Sequence, residues 1–429
     1  MNIIKKELEK SRFELLVTLT WDEFKIYLEK GAEAVSESVK VEGFRPGKVP
    51  YEVLKQKVGE MTILEETARV AINKTIDKAF DQELKGEQLV GQPNVDITKL
   101  APDNDFEYKV IVSALPKLTL GAYKEIKVKL TKPEVKDEDL QRTLTQIQEM
   151  RAKEAIKEGG AKINDKVLVD IEMFLDKVPV EGGQTKGAAV LLGKDYFIPG
   201  FDKNIVGLKK DETKEFSLLY PANHHQNNLA GKLVNFKVKV IEVYSRELPE
   251  LNDEFAKNMG FKNLVDMNTN ISDGLLEEQK QKNEQKAEIE MLNQIVLKTK
   301  FGDIPDILVE HEVKTMMSEL EQTILRQGAR FEDYLASLKK TKEQLSLDLL
   351  PDAVKRVKNA LIIREIAVAE KIEVSEKEID DKLEELKKAY KGDEKINEML
   401  KEPGYKRYIA NVLNNQKVIA QLKEWNLEK

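Results

Sequence analysis

The stretch Gly43-Phe44-Arg45-Pro46-Gly47-Lys48-Val49-Pro50 contains two glycines and two prolines within eight residues. Proline lacks a backbone donor and glycine is too free to sustain a helix, so the stretch predicts a stiff, turned tip. Phe44 and Arg45 stand side by side on it. Two interpretations are open: a turn between helices whose ring packs inward, or an exposed docking loop that carries one ring and two cations.

The charge around this tip differs from that of the whole chain. Between Lys40 and Lys57 five cations stand against two carboxylates, a local balance of +3, whereas the 429-residue chain has a formal net charge of −7. A basic tip on an acidic chain favours oriented docking and gives no general attraction for nucleic acid. Arg45 can form a fork with phosphate or carboxylate, and Phe44 can fill an apolar pocket beside it.

Length and composition predict two to four domains in a surface-rich protein, because 429 residues exceed one usual core and 34% of them are charged. The absence of cysteine excludes disulfides, thiolate metal sites and cysteine nucleophiles. The first eight residues lack the apolar core of a signal peptide, and no run reaches the roughly 20 apolar residues of a membrane span. We expect a soluble, cytoplasmic protein without a membrane partner.

Residues 1–115 predict an α+β domain in which helices cover one face of a small antiparallel sheet. Alternation of apolar and polar residues predicts strands at 13–19, 95–97 and 106–112. Apolar residues at helical spacing predict helices at 21–41, 51–58 and 62–84. Residues 116–157 then predict a connector with strands at 118–120 and 126–130 and a polar helix at 137–157, which Gly159-Gly160 ends.

Residues 158–246 predict an antiparallel half-barrel wrapped on one helix. The predicted elements are strands at 167–171, 190–193, 213–219 and 234–244, a turn at 181–183, and a short helix after Ile198-Pro199-Gly200-Phe201.

Residues 247–429 predict an all-α region. Its predicted helices are 262–300, 306–327, 342–371, 376–391 and 405–425, with turns at 301–305, at Gly328 and at Pro403-Gly404. Either a bundle buries every apolar stripe, or some stripes, with Met291, Met316 and Met317 among them, line open cradles for varied apolar partners.

Metal and nucleotide sites are not predicted. His224 and His225 are adjacent and point apart on most backbones, and their nearest carboxylates lack ligand spacing. Gly159-Gly160 and Gly182-Gly183 lack the lysine of a phosphate-binding loop. We therefore expect no metal and no cofactor, and any activity of the chain should be independent of ATP.

The tip fits GFRxGxxP, and in this respect the chain resembles bacterial trigger factor, whose ribosome-docking signature has this form. Residues 158–246 resemble an FKBP-like peptidyl-prolyl isomerase domain through Gly193, the IPGF stretch 198–201 and the last strand, and the junction 247–251 is also similar. The resemblance covers the whole chain. It implies a multidomain α+β protein with a ribosome-binding domain (1–115), a connector (116–157), an isomerase domain (158–246) and a helical substrate-binding domain (247–429).

The resemblance assigns roles to both candidate sites. It implies docking to a large-subunit protein and ribosomal RNA near the tunnel exit through Gly43, Phe44, Arg45, Pro46, Gly47, Lys48 and Pro50. It also implies binding of unfolded nascent polypeptides, and it leaves a homodimer off the ribosome open. In the isomerase domain it implies a pocket formed by Asp170, Ile171, Val180, Ile198, Phe201, His224 and Phe236.

The implied pocket needs no nucleophile or metal. Rotation about an X-Pro bond has to overcome a barrier of about 18–20 kcal/mol, and an apolar pocket with one donor for the substrate carbonyl lowers it. The resemblance makes the backbone N–H of Ile198 that donor, Phe201 the floor and Phe236 a wall. The family's D-F-T-G pattern reads Asp170-Ile171-Glu172-Met173 here, and Val180 and His224 replace aromatic residues. Smaller walls should weaken catalysis.

Two alternatives stay open. One is a free-standing prolyl isomerase whose flanking regions recruit substrates. The other is a non-catalytic helical scaffold or adaptor.

Overall fold

The structure is a computed structural model that describes residues 1–195, 197–222 and 229–428. It divides into two compact units. One combines Met1–Leu130 with Gln285–Lys429, and the other is Thr131–Glu284. Among the described residues, none of the helices combines the length and apolar character that crossing a bilayer requires.

The N-terminal part is an antiparallel sheet with helices on one face, as predicted. The strands follow the order β1-β2-β4-β3. Every second residue of β2 is buried against α4, because side chains alternate along a strand and only one face meets the helices. The elements are β1 (Asn2–Leu8), β2 (Arg12–Leu19), α1 (Trp21–Phe24), α2 (Leu28–Ser38), α3 (Tyr51–Val58), α4 (Glu60–Glu83), β3 (Leu89–Lys99) and β4 (Phe106–Ala114).

The predicted helix at 21–41 is shorter and interrupted. A 3₁₀ turn at Lys25–Tyr27 separates α1 from α2, and α2 ends at Ser38. Gly31 lies where α2 crosses α4, and a Cβ added there would lie 2.1 Å from Thr67 Oγ1. Glycine therefore sets the close approach of these two helices.

The short strands of the connector pair with distant segments of the chain. Its strands are β5 (Leu118–Thr119) and β6 (Val128–Lys129), and they are followed by α5 (Asp137–Met150) and β7 (Lys153–Ile156). The prediction of a helix up to residue 157 is wrong, because residues 153–156 pair with the strand at 244–247 instead. This long-range pairing overrides the local helical pattern.

The second unit contains the predicted half-barrel. Its elements are β8 (Lys166–Leu175), β9 (Val178–Leu191), α6 (Phe201–Ile205), β10 (Thr213–Leu219) and β11 (Leu233–Glu247), with sheet order β10-β11-β8-β9 and β7 on β11. The predicted turn at 181–183 is wrong, because these residues lie inside β9. The hairpin turns at Asp176 and Lys177, whose φ angles of 49° and 69° suit a tight two-residue connection.

The rest of the chain is helical, as predicted, apart from two strands of 2 residues each. Its elements are α7 (Asp253–Asn258), α8 (Leu264–Lys298), β12 (Lys300–Phe301), α9 (Asp306–Arg326), α10 (Phe331–Leu338), α11 (Lys342–Ala369), α12 (Glu376–Ala389), α13 (Glu394–Met399), α14 (Pro403–Asn426) and β13 (Leu427–Glu428). The short helices α7, α10 and α13 were not predicted. Pro403 and Gly404 begin α14 rather than forming a turn, since the first helical turn needs no proline N–H.

Two of the three methionines considered for open cradles lie in the core. Met291 is fully buried in the cluster that α8, α11 and α14 share, and Met317 is buried between α9 and α11. Met316 is half-buried beside it. The bundle interpretation is therefore correct for Met291 and Met317.

One buried side chain joins the connector to the last helix. Asn426 Oδ1 accepts a hydrogen bond from Ile126 N–H at 2.8 Å, and its Nδ2 donates to Tyr123 O and Leu422 O, each at 2.8 Å. Next to it, β13 runs parallel to β6. The two segments are thus held together at a site where Asn426 is only 2% exposed.

We expect Asn426→Ala to destabilise this junction. It leaves the buried Ile126 N–H and the part-buried Tyr123 O without this partner, and an orphaned buried group costs roughly 1–3 kcal/mol. Hydrogen exchange of residues 126–130 should then speed up by about tenfold or more. Asn415→Ala, at an exposed position of the same helix, is the control and should not change this exchange. Equal protection in both variants would contradict the role of Asn426.

Candidate functional site

The base of the tip loop is fixed by Ser36 of α2. Ser36 is fully buried, its carbonyl accepts from Gly47 N–H at 3.2 Å, and its Oγ accepts from Val49 N–H at 3.1 Å. The side chain of Val49 is buried in a small core with Ala32, Val35, Leu54 and Ile63. The second half of the loop is therefore anchored from below.

The tip itself is made of two tight turns. Phe44 N–H donates to Val41 O at 3.2 Å, and Lys48 N–H donates to Arg45 O at 3.0 Å. Gly43 and Gly47 have φ angles of 85° and 79°, which glycine adopts without strain. Phe44 is 41% exposed, so the interpretation with an inward-packed ring is wrong.

The charges of the tip are partly neutralised by carboxylates that the sequence count left out. Lys48 pairs with Glu33 at 3.2 Å, and Lys55 pairs with Glu60 at 2.7 Å. The hydrogen bond between Lys55 and Glu60 raises the pKa of the lysine and lowers that of the carboxyl. Within the described ranges, no ion pair involves the remaining cations of the stretch, Lys40, Arg45 and Lys57. The exposed, unpaired cation beside Phe44 is therefore Arg45.

The second candidate site is an apolar cluster in the half-barrel. The structure brings together four predicted residues, Ile171, Ile198, Phe201 and Phe236, each at most 3% exposed, with half-buried Val180 packed against them. The Phe201 and Phe236 rings meet edge to face, with centroids 5.5 Å apart.

Further rings of the cluster were missed by sequence reasoning. Phe216 lies opposite Phe236 in the sheet and stacks on it at 5.5 Å. Tyr220 stacks on Phe236 at 6.3 Å, and burial raises the pKa of its hydroxyl. The alternation of β10 places Phe216 and Leu218 on its inward face and was a usable signal for Phe216. These rings supply apolar wall that Ile171 and Val180 do not.

The backbone around Ile198 forms a tight turn. Ile198 O accepts from Phe201 N–H at 3.0 Å, and Gly200 has a φ of 90°, so the chain turns sharply into α6. In the part of the chain that the structure describes, the N–H of Ile198 has no acceptor. A substrate carbonyl is the kind of group that this donor suits.

A buried carboxylate, which sequence reasoning also missed, fixes the approach to Ile198. Asp202 is 3% exposed, and its Oδ2 accepts from Gly193 N–H at 2.7 Å and from Asp195 N–H at 2.8 Å. Both donors belong to residues with positive φ angles, 94° and 48°. Asp202 therefore holds the turn that leads into the site.

Two of the predicted pocket residues are not part of the cluster as described. Asp170 alternates along β8 with the buried Val169 and Ile171, and its Oδ1 accepts from Gly187 N–H of β9 at 2.8 Å. Its carboxylate thus binds an irregular part of the neighbouring strand. His224 lies outside the described residues.

Comparison with known proteins relates the whole chain to one family. Residues 1–147 match the family model of the bacterial trigger factor protein (TF), and residues 263–424 match that of its C-terminus. Trigger factor of Geobacillus kaustophilus is 32% identical over 407 residues, which are 93% of this chain and 94% of the relative. The chain belongs to the bacterial trigger factor family.

The comparisons also gave other matches. Residues 157–241 match the FKBP-type peptidyl-prolyl cis-trans isomerase model. Trigger factors of Caldicellulosiruptor bescii and Clostridium botulinum are each 30% identical and cover 97% and 100% of this chain, which covers 94% and 100% of theirs. A solved structure described as "Promiscuous Substrate Recognition in Folding and Assembly Activities of the Trigger Factor Chaperone" matches 99% of both chains at 23% identity and a TM-score of 0.49.

The family membership confirms the resemblance seen in the sequence and the multidomain α+β fold with an FKBP-type domain and a helical C-terminal region. The four boundaries given above and the roles of individual residues stay predictions.

We expect Ser36→Ala to loosen the tip loop without unfolding the domain. The buried Val49 N–H loses its acceptor, and an orphaned donor costs roughly 1–3 kcal/mol. Hydrogen–deuterium exchange of peptides that span residues 43–50 should speed up by about tenfold. Ser38→Ala is the matched control, because Ser38 Oγ only adds a donor to Val35 O, which also accepts from Val39 N–H. Unchanged exchange at Val49 would refute the anchoring role of Ser36.

Proposed function

We propose that this chain is a ribosome-associated chaperone that docks at the tunnel exit through residues 43–50 and receives nascent polypeptides. The observation that carries the proposal is the pair Phe44 and Arg45, an exposed ring beside an unpaired cation on a loop anchored by Ser36 and Val49. Phenylalanine can fill an apolar pocket. Arginine can bind phosphate or carboxylate through two parallel N–H···O hydrogen bonds. The proposed partners are a large-subunit ribosomal protein and adjacent ribosomal RNA.

The other residues of the loop have supporting roles in this proposal. Gly43 and Gly47 permit the turns, and Pro46 and Pro50 restrict the backbone on either side of Gly47. Lys48 supports docking less than its charge suggests, because Glu33 already pairs with it. The contact is thus focused on two side chains.

Client binding is proposed for apolar surface on the helices α9 and α11. An open groove of about 270 Å³ lies between α9 and α11 and is lined by Val313, Leu347 and Leu350. Leu347 is 64% exposed, as is Leu325 further along α9. Dispersed leucines of this kind offer weak contacts to many unfolded segments, and nothing in the mechanism requires ATP.

The central domain is proposed to catalyse cis/trans isomerisation of X-Pro bonds. The supporting observation is the N–H of Ile198, to which the described residues offer no acceptor, next to the ring cluster of Phe201 and Phe236. Desolvation of the imide and one hydrogen bond to the substrate carbonyl favour the twisted state. The domain is proposed to span residues 158–246, between the connector and the helical substrate-binding region.

The double variant Phe44→Ala/Arg45→Ala tests docking. Each residue is of a type whose truncation at an interface centre costs about 2 kcal/mol or more, so co-sedimentation with ribosomes should weaken at least about tenfold. The chain should keep its fold, because both side chains are exposed.

Ile97→Ala/Lys99→Ala is the matched control for docking. It removes the same classes of side chain from exposed positions of β3 in the same part of the chain. This variant should sediment with ribosomes as the unaltered chain does. Full co-sedimentation of the Phe44/Arg45 variant would eliminate the proposed docking role.

A proline-peptide assay on the full-length chain tests the isomerase activity. We expect acceleration above the buffer rate, and we expect Phe236→Leu to lower kcat/KM by about tenfold because one pocket wall is lost. Leucine keeps much of the buried volume, so the domain should stay folded. If the unaltered chain is no faster than buffer, the remaining candidates are a non-catalytic chaperone and a helical scaffold. If the chain is a full isomerase but does not bind ribosomes, a free-standing isomerase is favoured.

A further inference from the structure

We propose that Phe197 closes the proline subsite in the resting chain and competes with substrate for the face of Phe201. This inference rests on the proposed isomerase function, because it assigns Phe201 as the floor of that subsite. It makes Phe197 a residue that sets how readily a substrate enters.

The ring geometry provides the first argument. The centroids of Phe197 and Phe201 are 4.9 Å apart and their planes differ by 18°, so the two rings are stacked face to face. Phe216 and Phe236 meet Phe201 at steep angles of 65° and 74° instead. One broad face of Phe201 is thus covered by Phe197.

Exposure provides the second argument. Phe201 is completely buried, whereas Phe197 is 40% exposed. Phe197 therefore shields the floor and faces solvent with part of its own ring. A proline ring packs on an aromatic ring through the broad face, since edge contact buries much less apolar area. The substrate must then displace Phe197 or bind above it, away from the floor.

Hydrogen bonds hold the backbone at Gly193 and Asp195 and again at Ile198, so we assign the closure to the side chain of Phe197. Before it, the Asp202 carboxylate holds the N–H groups of Gly193 and Asp195. After it, Ile198 O accepts from Phe201 N–H at 3.0 Å. Rotation of the Phe197 side chain can uncover Phe201 and leave the donor N–H of Ile198 in place.

A substrate-binding role for Phe197 would predict weaker substrate binding when the ring is removed, which is the opposite of what closure predicts. If its exposed face bound the residue next to proline, removal of the ring would weaken substrate binding. If the ring covers the subsite, removal releases the floor. The stacking energy of an aromatic pair corresponds to about a two- to tenfold change in kcat/KM, which is measurable in either direction.

The test compares the full-length chain with Phe197→Ala, Phe197→Leu and Phe197→Tyr in the proline-peptide assay. We expect the Ala and Leu variants to raise kcat/KM by about two- to tenfold, mainly through a lower KM, since the ring no longer competes. The Tyr variant keeps a flat ring and should stay closer to the unaltered chain than Ala does. Val178→Ala removes an exposed apolar side chain at the end of the β8–β9 hairpin and serves as the control.

The outcomes separate this inference from the proposed activity. If the unaltered chain is active and Phe197→Ala and Phe197→Leu are equally or less active, the closure is refuted and the isomerase stands. If no variant exceeds the buffer rate, the isomerase proposal fails, and titration with the same proline peptide decides the closure. Tighter binding by Phe197→Ala supports it, and equal or weaker binding overturns it. Thermal melting identifies loss of fold, and Leu then replaces Ala as the deciding variant.

Discussion

The buried amide of Asn426 makes a long-range contact on which the first unit depends. Its hydrogen bond to Ile126 joins residues that are 300 positions apart in the sequence. Closure of a loop of this length is unfavourable in entropy, although the cost grows only slowly with length. The parallel pair of β6 and β13 and the shared core of α8, α11 and α14 stabilise the junction further. The first unit is therefore complete only when both ends of the chain are present, and residues 131–284 form their own unit in between.

The two candidate sites use the same local solution. In each, an exposed ring stands on a turn whose backbone N–H groups are held by a buried side-chain oxygen, Ser36 Oγ below Phe44 and the Asp202 carboxylate before Phe197. A buried oxygen that accepts backbone donors fixes the turn, because its release would leave these groups unsatisfied. The sites differ in what the ring meets. Phe197 stacks on a second ring, whereas within the described ranges no aromatic contact involves Phe44.

The parts of the fold that were predicted correctly depend on local pattern. The alternation in β2 and β4 and the helical spacing in α4, α9 and α11 are set by neighbours within a few turns. Two failures concern strand pairing. Residues 153–156 leave the helical pattern to pair with the distant β11. Residues 181–183 continue β9 because the hairpin turns earlier, at Asp176 and Lys177. Met291 and Met317 could not be assigned to the core, since an apolar stripe does not reveal what covers it.

The same limit affects the candidate sites. The tip motif named the right exposed residues, but the cations it contains could not be weighed before Glu33 and Glu60 were located. Because Lys48 and Lys55 are paired with Glu33 and Glu60, the net positive charge around the tip is smaller than the local count of +3 suggested. An exposed ion pair contributes little to stability, yet it does lower the charge that the loop offers to a partner. If the loop docks as proposed, recognition rests mainly on the shape of the loop, on one ring and on one guanidinium group, which is a more selective arrangement than a basic surface on an acidic chain.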